Sequence, residues 1–434
     1  MRLAWVSNSP LAPTGYGGQT AQVCKRLKAA GHDVTILSNY GHGSGTGIQL
    51  WEDIPVWPQG TTQYSTDILG SAIQAVNPDF VVTLYDVWVL GGVDFHKPSV
   101  SWVPVDHYPA SPEVVDWLKG EDTPESVARP AIAMSEYGQR TLREAGVEAG
   151  FIPHAIDTKE TFKPREAGAF RERAGIPKDA FLISMNAANI GKPPRKMFVE
   201  NFLAVSRLMA AHDDVWLYLH TDLRRPNGVD LTHWLLATGC DRERIRAVDP
   251  LAYRVGLTTN DDLSHIYSDS DVFLAASGGE GFGIPVVEAM ASGTPAIVTD
   301  FSAQPELVGD TGWRVPYQLT PDYGQGAYLA TPSVDGITAA LEEAYAEKGT
   351  PDAVARSVVA RERAETYDAD KVFDEAWRPL LAQMEVASNK AKAVRAGLEL
   401  PPGAGQLTAP DGRPINTAIR PNRKQRRAAN KRGK

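Results

Sequence analysis

Cysteine is almost absent from this 434-residue chain: Cys24 and Cys240 stand far apart, neither in a C-x-x-C step nor in a Cys/His cluster. That excludes a disulfide-built scaffold and a cysteine-metal site, and it fits a reducing compartment. No apolar run is long enough to span a bilayer, which takes about 18 residues or more, so no membrane span is expected. The first residues, Met1–Val6, pass into a strand-like segment without a signal-peptide pattern, which predicts a cytoplasmic protein. Acid and base are unevenly placed. Residues 1–420 hold 37 Lys and Arg against 53 Asp and Glu, whereas Pro421–Lys434 carry seven Lys and Arg and no acid, so the net charge of −9 conceals two opposite pieces.

What the chain has is alternation. Apolar runs at Leu3–Ser7, Val34–Ser38, Phe80–Leu84, Val100–Val105, Phe181–Met185, Val215–Leu219, Val272–Ala275 and Ala296–Thr299 read as buried parallel strands joined by amphipathic helices. The expected class is α/β, and the length suggests two domains, each able to bury its own core. A glycine-rich loop, Gly15-Tyr16-Gly17-Gly18, is expected before a first helix over Ala21–Ala30. The domain boundary is placed near residue 160. Late helices are expected at Ser333–Glu347, Asp352–Thr366 and Lys371–Val386, the last with Val372, Phe373, Trp377, Leu380, Leu381 and Met384 at helical spacing. From Ala387 aromatics vanish and Gly, Pro, Asn, Lys and Arg take over, which predicts a disordered basic tail over 387–434.

The stretch richest in chemistry is Asp271–Asp300. A strand runs into Ser277-Gly278-Gly279-Glu280-Gly281-Phe282-Gly283, Pro285 opens a helix carrying Glu288, and Gly293-Thr294-Pro295 ends it. Glycines let the backbone approach a ligand closely, and the unpaired N–H groups at the helix start make a seat for phosphate or diphosphate. Two carboxylates beside an anion seat would repel it unless they face other groups, and sugar hydroxyls suit them. A tight strand-to-helix turn with a dipole-complementing glutamate accounts for the same pattern without a ligand.

These residues carry a resemblance. Glu280-x7-Glu288 within E-G-F-G-x-P-x-x-E-A-M-A-x-G resembles the signature of the retaining GT-B glycosyltransferases of family 4. Ile152-Pro153-His154-Ala155-Ile156-Asp157 with Phe162 and Pro164 resembles the family's crossover, and Met134-Ser135-Glu136-Tyr137 its preceding step. Asp262-Leu263, Tyr267 and Asp271-Val272-Phe273 match the lead-in to the signature. The resemblance spans roughly residues 1–385. It implies two Rossmann-like domains facing each other across a cleft: residues 1–160 on the acceptor side, completed by the helix 371–386 crossing back, and residues 161–370 on the donor side. It implies a retaining enzyme that takes a hexose from a UDP- or GDP-linked sugar to a hydroxyl, without a metal or other cofactor.

By the same resemblance, Glu288 binds ribose hydroxyls, Glu280 holds hydroxyls of the transferred hexose, and the amides of Phe282, Gly283 and Ile284 meet hexose or diphosphate oxygens. Lys196 matches the family lysine facing the diphosphate, but its usual arginine partner falls on Ile190 or Gly191 and the glycine after the lysine is Met197; Lys192 or Arg195 is the candidate replacement. Gly15, Tyr16 and Gly17 resemble the family's N-terminal glycine loop, and His107, beside Asp106, a histidine close to the donor sugar. Glu280, Lys196 and His107 are thus the expected catalytic set. Chemistry independently calls for the cations, because breaking the anomeric bond places negative charge on the departing diphosphate.

His220 and the loop Thr221–Gly228, with Arg224 and Arg225, are weaker candidates. Asp269-Ser270-Asp271 spells a D-x-D step but enters a strand, so it reads as local structural chemistry. Protein or glycan is the expected acceptor. Nucleic acid, as for phage enzymes of this fold, is the alternative suggested by the basic tail, and the acidic body opposes it. Such an origin would make the site of action a host cytoplasm. A non-catalytic nucleotide-binding relative is the remaining reading.

Overall fold

The computed structural model describes residues 1–395 apart from 92, 94, 121–128 and 193, together with 407–408 and 414–415. The chain forms two compact units: Met1–His154 with Gln325–Ala327 and the chain from Asp370 onward, and Ala155–Gly324 with Tyr328–Ala369. The change of unit falls between His154 and Ala155, a little before the position the sequence suggested. Ile156 bridges Asp368, and Thr158 donates to the Asp368 carboxylate at 2.8 Å, so the crossover segment is tied to the second unit from its first residues.

The first unit holds β1 (Arg2–Ser7), β2 (Asp33–Ser38), β3 (Gln49–Trp51), β4 (Ile54–Trp57), β5 (Phe80–Leu84), β6 (Ser99–Val103), β7 (Ala131–Ala133) and β8 (Ala149–Phe151). They form one sheet in the order β3-β4-β2-β1-β5-β6-β7-β8, parallel except for the β3/β4 pair. The central strands are apolar on both faces, as a sheet covered by helices on each side requires.

Three buried tryptophans fasten the C-terminal segment to this unit. Trp377 lies 5.7 Å from Trp5 and 5.0 Å from Trp102, ring centre to ring centre. Trp5 donates to Thr20 Oγ1 at 3.1 Å and Trp102 to the Ile152 carbonyl at 2.8 Å, so both indole N–H groups are satisfied. At about 25 cal/mol per Å², a buried indole of about 200 Å² contributes about 5 kcal/mol before entropy, enough to hold the segment in place. A π-helical turn, Phe373–Trp377, lets both of its aromatic residues face inward.

The sequence reading is corrected in two places here. The helix after Trp377 runs Arg378–Arg395, so residues 387–395 are not disordered: Ala387, Ala391, Ala393 and the intervening lysines are good helix formers. The remainder of the expected basic tail lies outside the described residues, save 407–408 and 414–415, which pair as two short strands. Gly15–Gly18 is the first turn of the helix Gly15–Ala29 and not a loop before it, because Thr14 caps that turn by accepting from Gly17 N at 3.0 Å.

The second unit is a six-stranded parallel sheet of β9 (Phe181–Asn186), β10 (Val215–His220), β11 (Ile245–Ala247), β12 (Val272–Ala275), β13 (Ala296–Thr299) and β14 (Trp313–Val315), in the order β11-β10-β9-β12-β13-β14. A hairpin of β15 (Tyr317–Asp322) and β16 (Ala327–Pro332) follows. Phe181, Ile183, Met185, Phe198, Phe202 and Leu217 are central to its core. Strand order reverses between β9 and β12, and ligands of open α/β sheets bind at the carboxyl ends of the strands flanking such a reversal.

Candidate active site

The loops leaving β9 and β12 meet at that reversal. After β12, the backbone of Gly278 is gripped from two sides: its N–H donates to the Arg195 carbonyl at 2.8 Å, and its carbonyl accepts from Ala330 of β16 at 2.7 Å. A Cβ at this position would stand 2.4 Å from Met197 Cε and 2.8 Å from the Ala330 carbonyl, so only glycine fits. Gly283, at φ +110°, then starts the helix Ile284–Ala291, with Pro285 in its first turn. Among the described residues the N–H groups of Gly283 and Ile284 have no protein acceptor. Phe282, by contrast, buries its side chain against Tyr367, ring centres 5.4 Å apart.

Glu280 sits within this loop, its N–H bonded to Ser302 Oγ at 2.8 Å. Lys196 Nζ reaches its Oε1 at 2.5 Å and Arg195 Nη1 its Oε2 at 3.1 Å; Arg195 also donates to the Gly279 carbonyl. Burial acts to raise the Glu280 carboxyl, but the two cations outweigh it and hold the group below the usual carboxylate range. Of the two candidates for the missing charge, Arg195 stands beside Lys196 on the same carboxylate, whereas Lys192 is exposed and makes no ion pair among the described residues.

Met197 occupies the position of the family glycine and keeps a glycine-like backbone, φ +47°. For a non-glycine residue that conformation costs about 1–2 kcal/mol. Met197→Gly relieves the strain but gives up the contact of the methionine with Gly278, so stability is expected to change by no more than about 1 kcal/mol in denaturant unfolding. A larger loss would make the thioether the anchor of the loop.

Glu288 lies on the next helix. Its Oε2 accepts from the Tyr267 hydroxyl at 3.0 Å, and Tyr267 Oη in turn accepts from Asn186 Nδ2 at 2.7 Å. Burial pushes the Glu288 carboxyl up to about 7, partly offset by the Tyr267 hydrogen bond. Asn186 ends β9 and Tyr267 belongs to the helix Asn260–Ser268, so elements far apart in sequence orient one carboxylate. The sequence marks Tyr267 only as part of the motif's lead-in, and the one sign of Asn186 is that a polar residue ends a central strand.

The weaker candidates divide. His220 is buried against Tyr218, whose hydroxyl is 3.2 Å from Nδ1, and burial lowers its imidazole to about 4. The loop after it is stapled to the segment after β9, where Asn189 bonds the Asp222 and Val229 carbonyls at 3.0 and 2.7 Å. Arg224 faces Asp230 at 3.5 Å. Both D-x-D carboxylates are engaged in local structure. Asp269 caps the helix Ala169–Ala174 by accepting from Phe170 N and Arg171 N, and Asp271 pairs with Arg171 at 2.8 Å and accepts from Leu182 N at 2.7 Å.

The remaining candidates lie in the first unit. Gly17 is fixed by close approach, since a Cβ there would stand 2.3 Å from the Ala12 carbonyl oxygen. Tyr16 packs edge-on at 6.3 Å from His154. His107 follows β6, with Nδ1 at 2.6 Å from Asp106 Oδ1, and its carbonyl accepts from Tyr137 Oη at 3.0 Å. His154 is buried beside Trp102, ring centres 4.5 Å apart, and burial lowers its imidazole to about 3, so it is neutral near pH 7.

Comparison with known proteins points the same way: residues 200–326 match the model of the family glycosyl transferases group 1. The fold agrees. Sucrose-phosphate synthase from Thermosynechococcus elongatus superposes with a TM-score of 0.65 at 18% identity, over 92% of this chain and all of that one. Residues 200–326 are thus similar to the group 1 glycosyltransferases, and the fold of the chain is GT-B. In sequence it is similar to the MMP α-(1→4)-mannosyltransferase of Mycolicibacterium hassiacum, 34% identical over 44% of this chain and 38% of that protein. It is also similar to the GtfA subunit of the UDP-N-acetylglucosamine–peptide N-acetylglucosaminyltransferase of Streptococcus pneumoniae, 38% identical over 20% of this chain and 15% of that protein. The matched part is therefore well under half the length of these curated relatives.

Proposed function

We propose that this chain transfers a hexose from a nucleoside-diphosphate sugar, UDP- or GDP-linked, to a hydroxyl of a protein or glycan, with retention at the anomeric carbon. The observation that carries the reading is the pairing of Glu280 with Lys196 and Arg195 at the strand-order reversal, beside unpaired amides at a helix start. Lys196, Arg195 and the Gly283 and Ile284 amides stabilise the departing diphosphate. Glu280 holds hexose hydroxyls, and Glu288 the ribose diol. His107 and the first turn of the helix at Gly15 serve the sugar and acceptor side.

In the transfer step the bond from the anomeric carbon to the diphosphate oxygen breaks as the acceptor oxygen bonds to the same face of that carbon. The acceptor proton passes to the departing phosphate oxygen, and no carboxylate is assigned as a nucleophile. Protein and glycan are favoured as acceptors over nucleic acid because residues 1–420 carry an excess of 16 acidic side chains, which repels a phosphate backbone. The relatives named for mannosyl and N-acetylglucosaminyl transfer make those two sugars the first to try.

The test is a panel of UDP-, GDP- and ADP-sugars, read by release of nucleoside diphosphate with and without acceptor. Turnover with one base and sugar is expected. Binding of nucleotide sugars without hydrolysis or transfer would make the chain a non-catalytic relative, and failure to bind any would end the reading.

A further inference from the structure

We propose that Asn201 is a positioning residue that sets Lys196 against Glu280; this rests on the function proposed above. Asn201 lies in the first turn of the helix Phe198–Ala211 and is fully buried. Its Nδ2 donates to the Met197 carbonyl at 2.7 Å and to the Ala276 carbonyl at 3.0 Å. Met197 immediately follows Lys196, and Ala276 opens the loop that carries Glu280. One side-chain amide therefore joins the loop of the cation to the loop of the carboxylate. These two neighbours and the Lys196 carbonyl, 3.5 Å away, are all acceptors, so only the nitrogen end can face them, and both of its hydrogens are used.

Two further facts separate this tie from ordinary packing. Asn201 Oδ1 is buried with no hydrogen-bond donor, a condition that costs stability. An asparagine kept here at such a cost points to what its N–H groups hold. The helix start also lacks a side-chain cap and begins at the left-handed Met197, so local helix chemistry does little to fix the Lys196 backbone. Gly278 N to the Arg195 carbonyl is a parallel tie on the arginine side. Together the two join Arg195 with Gly278 and Met197 with Ala276, leaving Lys196 between them.

A positioning role is distinguished from a structural one by a double-mutant cycle. Asn201→Leu keeps volume and burial and removes both donors. Turnover with the donor found in the panel is measured for the wild type, Asn201→Leu, Lys196→Ala and the double variant, with kcat and KM determined separately. Asn201→Leu is expected to lower kcat about tenfold with donor KM changed less than about threefold, and to lower it less than about twofold further once Lys196 is gone.

If Asn201→Leu does not fold, Asn201→Ser takes its place. A serine hydroxyl can donate to the carbonyl four residues back, Met197, and loses only the Ala276 tie, so a smaller kcat loss of about threefold is expected with the same non-additivity. An additive cycle, an effect confined to KM, or unchanged kcat in the variant that folds overturns the role of Asn201 while the proposed function stands. Absence of wild-type turnover with every donor overturns the function, and this inference with it.

Discussion

Glu280→Gln is expected to lower turnover by about 10²–10³-fold, the range seen when one pre-organised transition-state partner is removed, while binding of the free nucleoside diphosphate is retained or becomes tighter. The second half of this expectation follows from the geometry. In the structure both carboxylate oxygens of Glu280 are occupied by Lys196 and Arg195, the cations assigned to the diphosphate. The diphosphate and Glu280 compete for the same charges, so a donor must loosen these pairs as it enters, and the loosened carboxylate becomes available to sugar hydroxyls. A neutral amide of the same shape leaves the cations uncompensated and more attractive to an anion. Product formation gives the first quantity and titration calorimetry with the nucleoside diphosphate the second. Normal turnover would remove Glu280 from the site; weakened diphosphate binding would show that Glu280 supports the anion seat and does not compete with it.

The strands were legible because buried parallel strands are apolar runs, and the signature because its glycines and glutamates are contiguous. The partners of those glutamates were less so. Tyr267 acts on Glu288 across 21 positions of chain and Asn186 acts on Tyr267 across 81, contacts that exist only once β9 and the helix Asn260–Ser268 share one end of the sheet. Where Lys192 and Arg195 lie depends on a turn that the sequence does not spell: Gly191 and Pro194 bridge to each other, Lys192 is exposed and Arg195 turns toward Gly279. Met197 shows the limit from the other direction. The backbone there keeps the left-handed conformation although the residue that favours it is gone, so a departure from the motif in sequence is not a departure in geometry. At Gly15–Gly18 the glycines suggested a loop, but Thr14 caps them into a helix, and a single hydroxyl outweighed their composition.

Glu288 supplies the other large expected effect. A carboxylate that accepts from two ribose hydroxyls makes charge-assisted hydrogen bonds worth about 1.5–3 kcal/mol each, so Glu288→Ala is expected to weaken nucleotide binding by at least about 10²-fold. The carboxyl serves this role ionised, yet burial holds it at about 7, above the usual 4.5 of a glutamate. Nucleotide binding should therefore release protons near neutrality and tighten about tenfold between pH 6 and pH 8, as the ionised fraction rises from about a tenth to about nine tenths. Stability measured without nucleotide should move the opposite way. The folded state holds the proton more firmly than the unfolded chain, so this contribution is complete below pH 4.5 and is lost as pH rises through 7. Glu288→Gln should remove both trends, flattening the affinity profile measured by calorimetry in two buffers of different ionisation heat and the matching part of the melting-temperature profile. A pH slope that survives in Glu288→Gln would assign the proton to another group and leave Glu288 as a neutral part of the helix packing.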